Sequence, residues 1–349
     1  MVDVIFVVAL GLALIAVLSW GVRTLPGEKW QMIAAVPVKK NHNGEWQGVN
    51  LTFYGFFSAT ASAFGTALMV VLAASVGTPL TVIVGLVVAM LVVCLPASRL
   101  IAWFVEGKRN TFTVAGAAFL GVVVLPPALW GAEKVLTARF NITICAVPLM
   151  AAVAIVYALS EAIGRMACLS FGCCYGKPIR EANPYLANLF RRFAVVFHGD
   201  TKKVAYASGL AEESLIPVQT VTAIVFTGSG LIGLSLFLAG FFRAAGIIPA
   251  VATWGWRALS EYLRADYRGD QKTPAYQVMA VIAVCYSTAA FLLLPAGGPV
   301  PNIVVGLSQV TSASVIVFLQ VLWLALFLYY GKSRVTRSIV SFHVVSDRV

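Results

Sequence analysis

A chain of 349 residues that is 60% hydrophobic, 11% charged and +11 in net charge is not an ordinary soluble domain, because soluble domains carry about 25% charged residues. The excess Lys and Arg sit in short loops and at helix ends, with no basic run interleaved with aromatics. That distribution excludes nucleic acid as a partner and points to anionic lipid.

The apolar residues fall in continuous blocks near the length of about 20 that a bilayer core of about 30 Å requires. Continuous blocks, unlike the short alternating segments of a barrel, predict helices. The first helix is expected over residues 2–22. It has no positive leading segment and no small-residue cleavage site before Pro26, so it reads as a retained helix. A polar loop over 23–49 follows, and its Trp30 and Trp46 suit an interfacial segment at headgroup level. Further helices are expected near 51–75, 79–104, 111–131 and 142–166. A polar insert at about 173–214 is too charged for the hydrocarbon region and forms an extramembrane arm lying over the charged site described below. Helices near 217–242, 247–265, 274–294 and 302–330 complete the set, and the tail from Lys332 is basic and polar. The expected fold class is all-α, a polytopic helical membrane protein of nine candidate spans in one membrane domain, residues 1–349.

Cys94, Cys145 and Cys285 lie in apolar helical segments and read as small core residues. Cys168, Cys173 and Cys174 lack the paired, two-residue spacing of zinc sites, and no second Cys or His pair follows nearby. No metal and no cofactor is therefore expected. A disulfide among them suits an oxidising compartment.

Charges inside membrane helices are rare and mark function. One constellation is Ser160-Glu161, Gly164-Arg165, then Cys168 and Phe171-Gly172-Cys173-Cys174-Tyr175-Gly176. Glu161 and Arg165 are four apart and can pair on one helix face, and Gly172 and Gly176 fit a tight turn. The other is Trp256-Arg257, Glu261-Tyr262, Arg264 and Asp266-Tyr267-Arg268. On a continuous helix Arg257, Glu261, Arg264 and Arg268 share one stripe about 60° wide. Arginine forks bind phosphate bidentately and keep their charge. The expected site is a phospholipid phosphate site with Arg165 and Arg257 facing one shared cavity and Glu261 bracing Arg257. The alternative is that these charges only staple helices together or snorkel. His198, in the arm, is the candidate proton carrier, because histidine is the side chain suited to proton transfer at physiological pH; His42 and His343 lie outside the clusters.

At these two clusters the sequence resembles the prolipoprotein diacylglyceryl transferase family, over about residues 50–295. That family carries Gly-Arg-x-Gly-Asn-Phe-x-x-Gly-Glu-x-Trp-Gly. Here Gly164, Arg165, Gly172 and Gly176 keep its spacing, in a divergent branch whose middle reads Gly-Cys-Cys-Tyr-Gly. The family's Arg-x-x-x-Glu-x-x-Arg-x-x-Asp helix is matched by Arg257, Glu261 and Arg264, with Asp266 near the acidic position. Tyr54-Gly55 is similar to the Tyr-Gly that opens its first core helix. Pro217-Val-Gln219 is similar to its Pro-x-Gln, and Arg99 falls where it has an arginine late in its second core helix.

The resemblance implies a seven-helix core with an added N-terminal helix (2–22) and an added C-terminal helix (302–330). It implies a multi-pass protein of the bacterial cytoplasmic (inner) membrane that takes a diacylglyceryl group from phosphatidylglycerol and passes it to an acceptor, a lipoprotein precursor in that family. Arg165, Arg257, Glu261 and His198 would then be catalytic, and Tyr54, Arg99, Glu161, Gly176, Arg264, Asp266 and Arg268 would bind the donor. The departures are specific. The family's His-Gly-Gly falls near Thr113–Gly121, where this chain has no histidine. Its signature asparagine and glutamate are Cys168 and Cys173, a tyrosine one turn before the helix arginine is Thr253, and its Tyr-Glu is Val221-Thr222. A noncatalytic phospholipid-binding or lipid-translocating protein on the same scaffold is the second reading.

Overall fold

More buried side chains fall in helix α5 (Ala146–Phe171), rich in alanine from Ala146 to Ala167, than in any other described helix. Small residues let helices approach closely where lipid gives no hydrophobic drive. The computed structural model describes residues 1–107, 113–267 and 275–349. Three helices close around α5: α2 (Phe53–Ser75), α8 (Val218–Leu238) and α9 (Phe242–Ser260). A Cβ on Gly65 of α2 would collide with Ser160 of α5, and one on Gly230 of α8 would collide with Leu159. Glycine at both positions is therefore a packing requirement.

Outside this core lie α1 (Val2–Thr24), α3 (Leu80–Glu106), α4 (Val114–Phe140) and α10 (Ala275–Leu293). α3 pairs with α4, and α4 and α9 both pack on α10. The arm holds the short helices α6 (Pro184–Phe190) and α7 (Lys203–Ser208). The chain ends with α11 (Ile303–Val310) and α12 (Ala313–Gly331), both packed on α2. Among the described residues, eight helices are long and apolar enough to cross a membrane: α1, α2, α3, α4, α5, α8, α10 and α12. This is a multi-pass helical membrane protein.

Three expectations change. The span expected at 247–265 is α9, which is not one of the eight, because Arg243 and Arg257 lower its apolarity. Arg243 instead donates to the carbonyls of Phe291 and Leu294, both at 3.1 Å, and so caps the end of α10. The single helix expected at 302–330 breaks between α11 and α12. There Ser308, Thr311 and Ser312 bond nearby backbone carbonyls with their hydroxyls, which competes with helix continuation.

The third is an addition: the all-α membrane core stands, and a small sheet joins it. The polar loop and the polar tail form a sheet of order β1-β2-β3, from β1 (Met32–Lys40), β2 (Trp46–Thr52) and β3 (Lys332–Val340), both pairings antiparallel. Asn50 Nδ2 on β2 donates to Thr336 Oγ1 on β3 at 3.2 Å. Thr52 joins this sheet to the membrane core. Its hydroxyl lies within hydrogen-bond reach of the Gly55 amide, at 3.4 Å, at the start of α2, and of the Gly331 carbonyl, at 3.0 Å, at the end of α12. A Cβ on Gly55 would strike the Gly331 backbone. The Tyr54-Gly55 pair thus lets α12 deliver β3 to the same end of the bundle as the charged residues.

Candidate functional site: a cationic cavity at the end of α5

Glu161 sits one turn before Arg165 on α5, and its Oε2 accepts from Arg165 Nη2 and from Arg257 Nη2, each at 2.6 Å. All three side chains are largely buried. Arg257 also lies over the rings of Trp254, Tyr157 and Phe226, at 5.5, 5.7 and 5.9 Å from their centroids. An aromatic cage of this kind favours a desolvated cation. Arg257 Nε, Tyr157 Oη and Ser160 Oγ are buried without a hydrogen-bond partner among the described residues. Such atoms in a native interior call for an explanation; of these three residues, Arg257 lines the cavity described below.

The second arginine motif does not continue as a helix. α9 ends at Ser260, Glu261–Leu263 form a 3-10 turn, and Arg264 is extended. The stripe expected from continuous periodicity is therefore broken. The cause is a backbone pairing with the first motif. The Lys177 amide donates to the Leu263 carbonyl at 2.9 Å, and the Ala265 amide to the Tyr175 carbonyl at 3.1 Å. Gly176 opposes Arg264 in this bridge, and a Cβ there would strike the Ile216 carbonyl. Gly176 thus holds the two motifs together through its backbone. Arg264 is gripped by Asp266 through two parallel bonds of 2.7 Å, the geometry that fixes a guanidinium most firmly. The carboxylate expected to brace Arg257 was Glu261; Glu161 does so.

Arg165, Arg257, Arg264 and Asp266 line one cavity of about 210 Å³. The arm adds Lys203 and Tyr206 from α7, and the C-terminal segment adds Tyr329, Tyr330, Lys332 and Arg334. Tyr54 lines it too, packed 5.5 Å from the Phe171 ring. Cations outnumber carboxylates in this wall, so the cavity favours an anion. Thr113, Val114 and Ala115 also line it, from the start of α4.

α7 is pinned by its neighbours. The Val204 amide donates to the Gly172 carbonyl at 3.0 Å, and Tyr175 and Ser208 share a hydroxyl hydrogen bond. Lys202 is buried completely, and its ammonium donates to the Ser170 carbonyl at 2.7 Å and approaches that of Leu25 at 3.3 Å. Ser170 lies in the last turn of α5, where the helix dipole favours a cation. Burial pushes the Lys202 pKa down to about 8, with Glu28 acting in the opposite direction.

Cys168, on the last turn of α5, and Cys173 and Cys174, on the turn beyond it, bring their sulfurs within 4.8 Å of one another in this wall. Thiol donation from Cys168 and Cys173 holds the Cys174 thiol well below the ordinary range, helped by Arg264 and Arg165.

Not every residue singled out in the sequence reaches the cavity. Arg99 stacks 4.8 Å over the Tyr329 ring, behind the wall. His198 does not line the cavity: its Nδ1 pairs with Glu212 at 2.7 Å on the exposed side of the arm. The reason is the Pro26 carbonyl, which accepts from the His198 amide at 3.1 Å and holds that part of the arm against the end of α1. Arg268 lies outside the described residues. Lys332 and Arg334 were missed because their signal, a short basic alternation after the last helix, reads as a solvated tail without a partner strand. Comparisons of the chain with protein-family models, with curated proteins and with solved structures find no match.

Proposed function

We propose that this protein is a glycerolipid transferase of the bacterial cytoplasmic membrane that moves a diacylglyceryl group from a phosphatidylglycerol-type donor to a thiol acceptor, such as a lipoprotein precursor. The observation that carries this reading is the cavity in which Arg165 and Arg257 converge on one carboxylate, with Arg264, Lys203, Lys332 and Arg334 in the same wall. Fixed guanidinium groups placed where a phosphate leaving group gains charge lower the barrier electrostatically, because they need no reorganisation. Arg257 lines the cavity and brings its guanidinium charge to a phosphate bound there. In this reading a seven-helix core over residues 50–295 carries the chemistry, the donor enters between helices, and the arm and β3 present the acceptor. The test is incubation of purified protein with phosphatidylglycerol and a cysteine-containing acceptor peptide. A mass increase of one diacylglyceryl group on the peptide supports the reading, and an unmodified peptide opposes it.

One observation favours the second reading, a noncatalytic lipid-binding protein: no histidine lines the cavity among the described residues. That reading predicts saturable binding of anionic phospholipid with no turnover.

A further inference from the structure

We propose that Cys168, Cys173 and Cys174 form a three-thiolate zinc site in the cavity wall, with a fourth position open to the cavity. Their three sulfurs lie within 4.8 Å of one another, and those of Cys168 and Cys174 are 3.8 Å apart. Sulfurs bound at about 2.3 Å to a tetrahedral zinc are spaced by about 3.8 Å. Neutral thiols in contact reach a similar separation, so the weight rests on the convergence of three rather than on one distance.

The turn that achieves this convergence is built for it. Neighbouring side chains on an extended chain point apart. Here Gly172 and Cys174 both have left-handed backbone, at φ 70 and φ 57. For a residue other than glycine that conformation is strained. The Gly172 and Cys173 amides both donate to the Cys168 carbonyl, at 2.9 and 3.1 Å. This helix-ending turn folds Cys173 and Cys174 back over Cys168. Gln219 Nε2, on α8, donates to the Cys173 carbonyl at 2.9 Å and locks the turn from the other side. The sequence spacing gave no zinc signature because the ligands are gathered by a helix cap rather than by paired knuckles.

Charge also balances. Three thiolates and a zinc ion carry one net negative charge, and the trio of Arg165, Arg257 and Glu161, whose arginines share the wall, carries one net positive charge. A catalytic zinc keeps three protein ligands and one exchangeable position. A thiol that coordinates there loses its proton outright.

The role of the open position rests on the transferase reading above. The acceptor thiol binds as a thiolate and its proton passes to solvent. Its sulfur forms a bond to the glyceryl carbon of the donor. The bond from that carbon to the phosphate oxygen breaks, the electron pair stays on the oxygen, and glycerol phosphate leaves against Arg165 and Arg257. The site thereby does the work of a base that no histidine supplies.

The test is the metal content of the full chain purified from membranes without chelator, followed by cobalt substitution. The expected result is about one zinc per chain and, with cobalt, thiolate-to-metal charge-transfer absorption with tetrahedral bands. Cys168→Ser, Cys173→Ser and Cys174→Ser each lower zinc content at least tenfold, whereas Cys94→Ser and Cys285→Ser keep it. Where a serine variant fails to fold, the native chain decides: zinc slows alkylation of the three thiols at least tenfold, and a chelator restores it. A reduced, folded chain that takes up neither zinc nor cobalt overturns the site, as does a disulfide among these cysteines in the protein as isolated. Zinc binding without lipid transfer leaves the site standing and removes the transferase reading. Transfer by a metal-free chain does the reverse.

Discussion

Arg257 of α9 donates to Glu161 of α5 at 2.6 Å across 96 residues of chain, and the same oxygen receives Arg165. Removing one partner of a buried charge pair leaves the others uncompensated and costs about 3–5 kcal/mol. Glu161→Gln, which cannot hold two guanidinium charges, is expected to lower the unfolding temperature in detergent and to abolish binding of anionic phospholipid. Thermal unfolding followed by tryptophan fluorescence, with lipid binding on the same sample, checks both. A variant as stable as the parent shows that the pair is not buried as described.

Arg257→Lys is expected to impair lipid binding and transfer nearly as much as Arg257→Ala. Lysine keeps the charge but loses the fork that reaches Glu161 while lying over Trp254 and Tyr157. Activity of the lysine variant within about threefold of the parent, on the order of 0.6 kcal/mol, shows that charge alone suffices.

His198→Ala is expected to leave lipid binding and transfer within twofold of the parent. Its imidazole pairs with Glu212 in an exposed position, and exposed pairs contribute about 0–1 kcal/mol. Loss of transfer with binding intact returns His198 to the mechanism as a proton carrier.

The buried Lys202 predicts a pH dependence of stability. Its pKa is about 8 in the folded protein and about 10.4 in an unfolded chain. Between those values the unfolded state holds the extra proton, so stability rises with pH, by at most roughly 3 kcal/mol. Below about pH 8 both states are protonated and the contribution is gone. Unfolding temperatures measured from pH 7 to pH 10 should show the rise in the parent, and Lys202→Met should flatten it. Parallel profiles for the two proteins contradict the assignment.

Lys332→Ser combined with Arg334→Ser is expected to weaken binding of anionic over zwitterionic phospholipid by about tenfold or more, on the order of 1.4 kcal/mol. Both residues line the cavity from β3. Binding to nanodiscs of each lipid class measures the ratio. An unchanged ratio removes the tail from the site.

The helical membrane core was legible because continuous apolar blocks have one stable solution in lipid. The pairing of Glu161 with Arg165 was legible because a spacing of four places both on one face. The bracing of Arg257 by Glu161 was not, since it depends on how α9 meets α5 in three dimensions. Periodicity named Glu261 instead, on the assumption that the helix runs to Arg268, and the backbone bridge from Tyr175–Lys177 to Leu263–Ala265 ends it earlier. The sheet escaped notice because β3 lies far along the chain from β1 and β2, and a lone basic strand carries no sign of its partner. The Cys168–Cys174 convergence depends on a left-handed residue that is not glycine, a conformation that sequence rules steer away from.

The central claim is that the Arg165–Arg257 cavity cleaves a phospholipid at its phosphate. Release of glycerol phosphate from phosphatidylglycerol labelled in the headgroup, by protein in nanodiscs with an added thiol acceptor, tests it most directly. The account predicts release that needs the acceptor and falls at least a hundredfold, about 2.7 kcal/mol, in Arg165→Ala and Arg257→Ala. Release no greater than that of the Arg257→Ala protein, while the parent still binds the lipid, contradicts it.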